Sequence, residues 1–127
     1  MQFTGICLVS QQVGAMRAFY RAILQSEPSG DDHWWVDFGD VPGGHFSIFN
    51  AQGMEDMAPG SMKGAGAGGY TVEFQVDDVD AEYTRLQALG VEIVKPPTTQ
   101  TWGRRSLWFR DPDGNIVNFY VEAPGER

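Results

Sequence analysis

The chain carries an internal repeat, and that repeat restricts its possible folds more than any other feature. "GICLVSQQVGAMRAFYRAIL", beginning at Gly5, matches "TVEFQVDDVDAEYTRLQALG", beginning at Thr71, at one constant offset. Ile6 then falls on Val72, Leu8 on Phe74, Val13 on Val79 and Ala15 on Ala81. Each copy opens with apolar residues at alternate positions, Ile6-Leu8 or Val72-Phe74-Val76, which is the period of a strand. A polar step follows, Gln11-Gln12 or Asp77-Asp78, and then the spacing of an amphipathic helix. The first helix is expected to bury Val13, Met16, Phe19, Tyr20 and Ile23, and the second Val79, Tyr83, Leu86 and Leu89. Asp77 or Asp78 is the expected N-cap of the second helix, and Gly90 its stop.

Further strands follow each helix. In the first half they are "HWWVDFG" and "HFSIFN", joined by a turn at Val41-Pro42-Gly43-Gly44. In the second they are "VEIVK", "RRSLWFR" and "NIVNFYVE". The turn Asp111-Pro112-Asp113-Gly114 joins the last two, with proline where φ is preset and glycine where φ must be positive. The pattern predicts an α+β domain over residues 1–127 made of two βαβββ modules, about 1–50 and about 70–127. Between them runs the Gly- and Met-rich "AQGMEDMAPGSMKGAGAGG", about 51–69, expected to be a flexible connection that lets the modules pair within a chain or across a dimer.

Charge and composition remove several function classes. A net charge of −8 argues against a nucleic-acid surface, which needs clustered Lys and Arg. No run approaches the roughly 18 apolar residues of a membrane span, so no membrane association is expected. The N-terminus lacks a basic region ahead of its short apolar run, so no cleaved leader is expected, and the location is expected to be cytoplasmic. Cys7, the one cysteine, can form neither an internal disulfide nor a thiolate zinc site by itself.

Three segments carry a family resemblance: "ICLVS…MRAFYRAIL", "VEFQVDDVDAEYTRLQALGVEIV" and, most specifically, "FRDPDGNIVNFYVE". They resemble the vicinal oxygen chelate superfamily, which contains glyoxalase I, extradiol dioxygenases, and fosfomycin- and bleomycin-resistance proteins. The resemblance implies paired βαβββ modules whose curled sheets enclose a cup. In metal-dependent members it also implies His, Gln or Glu ligands on the first and last strands of each module. Carried over by position, the first-strand ligand falls on Gly5 and its repeat partner on Thr71. The last-strand Glu, four residues after the turn glycine, falls on Asn118, and the same count from Gly44 gives Ile48. None of these is an ordinary ligand for a divalent transition metal. His33 and His45, the two histidines, do not fill the vacated positions, and alternation turns His45 opposite to Ile48. No metal and no cofactor are therefore expected.

Strand parity sets the expected lining of the cup. From the first module come Gly5, Cys7 and Val9 with Phe46, Ile48 and Asn50. From the second come Thr71, Glu73 and Gln75 with Ile116, Asn118 and Tyr120. Ile6, Leu8, Val72, Phe74, Val76, Val117 and Phe119 are expected to face the helices. Glu73 stands among apolar strand neighbours, either as anchor for a cationic group or general base, or reaching solvent at the mouth or paired with Arg104 or Arg105. Asn118 either bonds a ligand or bonds Thr71. Cys7 is expected to act as a small hydrophobe rather than a nucleophile. Of the adjacent Trp34 and Trp35, one is expected to face the cavity. With Trp102 and Trp108 they suit a planar or cationic ligand. The expected ligand-binding set is Cys7, Trp35, Phe46, Ile48, Thr71, Glu73, Trp102, Trp108, Asn118 and Tyr120.

Three functions remain open, of which a regulatory or accessory domain has no partner signature in the sequence and the other two rest on these residues. One is a metal-independent protein that sequesters an aromatic or cationic small molecule, as bleomycin-resistance members do in antibiotic resistance. The other is a glyoxalase-like lyase or isomerase, or a dioxygenase-related enzyme, with Glu73 as its one candidate base. A homodimer is expected from the pseudo-repeat and its exposed sheet edges.

Overall fold

The computed structural model describes residues 1–41 and 43–122. They form two compact units, Met1–Ala65 and Gly66–Arg127. The first contains β1 (Gly5–Ser10), α1 (Val13–Leu24), β2 (Ser29–Gly30), β3 (Trp35–Val41), β4 (Gly44–Asn50) and α2 (Ala51–Met57). The second contains β5 (Thr71–Gln75), α3 (Val79–Ala88), β6 (Ile93–Thr99), β7 (Arg105–Arg110) and β8 (Ile116–Val121). Each unit has one four-stranded sheet, in the orders β1-β4-β3-β2 and β5-β8-β7-β6. In both, the opening strand runs parallel to the closing strand while the remaining pairs are antiparallel. The turn expected between β3 and β4 centres on Pro42, outside the described residues.

In the first unit the apolar stripe of α1 covers one face of its sheet. Val13, Met16, Tyr20 and Ile23 are buried, and the Tyr20 ring meets Phe46 edge-on at 5.1 Å. Leu8, Val36 and Ile48 lie fully buried, each burial contributing about 2 kcal/mol. α1 ends where Gln25 takes a left-handed conformation, φ 51°. In the second unit Asp78 caps α3, its side chain accepting from the Ala81 amide at 3.1 Å. Asp80 and Glu82 in the first turn suit the positive end of the helix. Val79 and Leu86 are buried with Val72, Leu107, Phe109, Val117 and Phe119, whereas Leu89 remains exposed. The turn after β7 is held by the buried Asp111 carboxylate, which accepts from Asp113 N, Asn115 N and Asn115 Nδ2. Gly114 supplies the positive φ that this turn requires, 89°.

The connecting segment departs from expectation. Asn50 caps α2, its Oδ1 accepting from Gln52 N (2.7 Å) and Gly53 N (3.2 Å), while its Nδ2 donates to His33 O. The Glu55 carboxylate then gathers the amides of Gly60 and Met62, each at 2.8 Å, and these bonds hold its pKa below the usual range. The glycine and methionine composition hid a short capped helix and a carboxylate-organised turn.

Candidate functional site

Register decides which side chains share a face, and it corrects the first-unit set. In the parallel β1–β4 pair Cys7 lies opposite Ser47, and Leu8 opposite Ile48. Phe46 and Ile48 therefore point with Leu8 into the core under α1, 3% and 0% exposed, and are not on the Cys7 face. The count from Gly44 was one residue out of register, and such a slip exchanges the two faces of a strand. Asn50 likewise leaves the predicted lining to cap α2. The side turned away from α1 carries Cys7, Val9, His45, Ser47 and Phe49, joined by Trp35, which pairs with Phe49. Trp34 precedes the strand, stacked on His33 at 5.7 Å. His45, expected to turn outward, belongs to this side, with Nε2 2.7 Å from Asp37 and Nδ1 2.7 Å from Asp40. Both carboxylates claim its ring nitrogens, so neither nitrogen is open to another partner.

The second unit gathers more of the predicted residues. Register pairs Thr71 with Ile116, Glu73 with Asn118 and Gln75 with Tyr120, all on the side away from α3. Across the β7–β8 pair Trp108 lies opposite Asn118, and Ser106 opposite Tyr120. Asn118 Nδ2 donates to Glu73 Oε2 at 3.1 Å, and Thr71 Oγ1 approaches the same oxygen at 3.3 Å. Glu73 is exposed, whereas Asn118 is only 5% exposed. Asn118 Oδ1 is buried and has no hydrogen-bond partner. Chemistry fixes that amide orientation: a carboxylate oxygen accepts, so the NH2 group faces Glu73 and the oxygen is the amide atom left without a partner.

Two cations border the row. Arg104 lies over the Tyr120 ring, 3.8 Å from its centroid, and donates to Glu122 Oε1 at 2.7 Å. Lys95 Nζ sits 5.1 Å from the Trp108 ring centroid. Arg105 instead turns to Asp80. Neither arginine hydrogen-bonds Glu73. Trp102 occupies the turn before β7 and is 68% exposed. Lys95 escaped the sequence reading because β6 carries register shifts near it, which break the parity rule there. Cys7 is exposed and its thiol makes only a weak 3.9 Å contact to Leu8 O. Among the described residues no group of three or more His, Cys, Asp or Glu side chains is placed to hold a metal ion.

Two βαβββ units, each with a parallel first and last strand, define an α+β protein of the glyoxalase-like class. The chain belongs to the Glyoxalase/Bleomycin resistance protein/Dioxygenase superfamily, whose family model matches residues 2–119. A glyoxalase/bleomycin resistance protein/dioxygenase from Nocardioides superposes with a TM-score of 0.81 at 25% identity, covering 98% of this chain and 85% of that one. A lactoylglutathione lyase from Agrobacterium tumefaciens gives 0.73 at 24% identity, covering 94% and 92%, a likeness of fold. The uncharacterized protein YraH of Bacillus subtilis (strain 168) is 36% identical over 61 residues. That match covers 47% of this chain and 48% of YraH, about half of each. No described helix is long and apolar enough to cross a membrane.

Proposed function

We propose that the side of the second sheet turned away from α3 binds a small amine-bearing molecule without a metal ion. The observation that carries this reading is Asn118 Oδ1, a buried acceptor with no donor, beside the Glu73 carboxylate. Leaving such a group unpaired costs about 1–3 kcal/mol, and an ammonium donating to both oxygens would recover it. Trp108 and Tyr120 flank the pair and offer aromatic surface to a planar or cationic ligand. The net charge of −8 favours approach of a cation over long range.

The donor chemistry does not fit a divalent transition metal. Position 118 holds a neutral amide, position 71 a hydroxyl, and the register-matched position on β4 another hydroxyl, Ser47. Gly5 has no side chain, and a Cβ added there would collide with the backbone of His45. Sequestration is thus favoured over metal-dependent lyase or dioxygenase chemistry. A homodimer in the cytoplasm belongs to the same proposal, supported by edge strands at both ends of each sheet; light scattering on the purified chain tests its dimer part.

Metal analysis of protein purified without chelator, with thermal-shift measurements on benzylamine and benzyl alcohol, tests the reading. The expected result is no stoichiometric metal, and a shift with the amine that Glu73→Gln abolishes. Stoichiometric zinc, nickel or iron overturns metal independence, and equal shifts with the alcohol overturn the amine site.

A further inference from the structure

The same sheet carries a positive pole that an amine ligand does not use. Register places Glu73, Asn118, Trp108 and Lys95 in one row across all four strands, β5 to β6. Lys95 lies on the same side as the rest of that row, since its Nζ sits over the Trp108 ring. It donates to Ser106 O at 2.9 Å and Ser106 Oγ at 3.0 Å. An ammonium has three N–H donors, so one is left for a further partner. Both oxygens that Lys95 meets are neutral. Among the described residues no carboxylate forms an ion pair with Lys95, and Arg105, whose charge it feels, is paired with Asp80. Burial, and then the charge of Arg105, hold the Lys95 pKa below the usual lysine range, as befits a cation without a counter-ion among the described residues.

Resting on the amine reading above, we infer that the ligand is an aromatic zwitterion. Its ammonium is held by Glu73 and Asn118 Oδ1, its ring lies along Trp108, and its carboxylate meets Lys95. Lys95 stands two strand spacings from Asn118 and three from Glu73, roughly 10–14 Å, which a single benzene ring with short arms and a hydrogen bond at each end can bridge. A simple cation would leave the lysine without a counter-charge, and a simple acid would leave Asn118 Oδ1 without a donor. The zwitterion satisfies both in one row.

Calorimetric titration of the full chain with three matched probes tests this. They are 4-(aminomethyl)benzoic acid, 4-methylbenzylamine and 4-methylbenzoic acid. The zwitterion is expected to bind about tenfold more tightly than the amine, the worth of one charge-assisted hydrogen bond at a partly exposed site. Lys95→Met is expected to erase that advantage, and Lys95→Arg to keep most of it. Equal affinity of wild type for zwitterion and amine overturns the two-pole inference and leaves the amine site standing. Failure of both to bind overturns the amine site and the inference with it. If Lys95→Met does not fold, the three-probe ranking on wild type still decides.

Discussion

Asn118 spends its amide NH2 on Glu73, 3.1 Å away across the β5–β8 pair, and keeps its buried oxygen without a donor. The proposed amine site gives that oxygen its donor, and the pair alone leaves it unsatisfied. Asn118→Leu replaces the amide by an apolar side chain of similar size and removes the unpaired acceptor. The exposed Glu73 recovers its lost bond from water. Urea unfolding without ligand is expected to give a stability equal to wild type or higher by about 1 kcal/mol. Benzylamine binding is expected to fall at least tenfold. A stability loss above about 1 kcal/mol would show that the amide serves the fold.

The β1–β4 register makes a second prediction, because it separates Cys7 from Ile48. Ile48 is 0% exposed beneath α1, so Ile48→Ala is expected to cost about 2–5 kcal/mol through lost burial and a residual cavity. Cys7 is exposed on the other side, so Cys7→Ser is expected to stay within about 0.5 kcal/mol of wild type. Equal losses for the two in chemical denaturation would contradict the register.

The contrast between those residues shows what was legible in the sequence. The repeat, the Asp78 cap and the Asp111–Gly114 turn were readable because each rests on local periodicity or local backbone demand. In the second unit the turn glycine fixed the register, and Thr71, Glu73, Asn118 and Tyr120 were placed on one side. In the first unit the count began from Gly44, which itself pairs with Val41 inside the β3–β4 ladder. That start shifted the count by one, so Phe46 and Ile48 were assigned to the site while His45 and Ser47 were passed over. Parallel pairing between strands far apart in sequence leaves no local mark. Lys95 was missed for a related reason, since register shifts on β6 turn it toward Ser106 and Trp108 where simple alternation does not reach.

Order in the connecting segment leads to a third prediction. Asn50 satisfies two amides at the start of α2 and also bonds His33 O, so its side chain ties the segment to the loop before β3. Asn50→Ala is expected to lower stability by about 1 kcal/mol. Amide hydrogen exchange over 51–57 is expected to accelerate more than exchange in α1. Fast exchange throughout 51–62 in the wild-type protein would contradict a capped helix.

His45 supplies a prediction in pH. Its hydrogen bond with Asp40 is the main cause of a pKa raised above 6.5; desolvation opposes that shift, and the charges of Asp37 and Asp40 add to it. A histidine whose folded pKa exceeds its unfolded one binds its proton more tightly when folded. Its contribution is fully present below the unfolded value and is lost as pH rises through the raised folded value. The melting temperature of wild type should therefore exceed that of His45→Gln by most near about pH 6, and the gap should close by about pH 9. The ring is substantially exposed, so the gap is expected to be small and to shrink with added salt. A gap that widens toward alkaline pH would mean that neutral His45 is the form the folded protein prefers, and that the Asp37 and Asp40 contacts do not hold its proton.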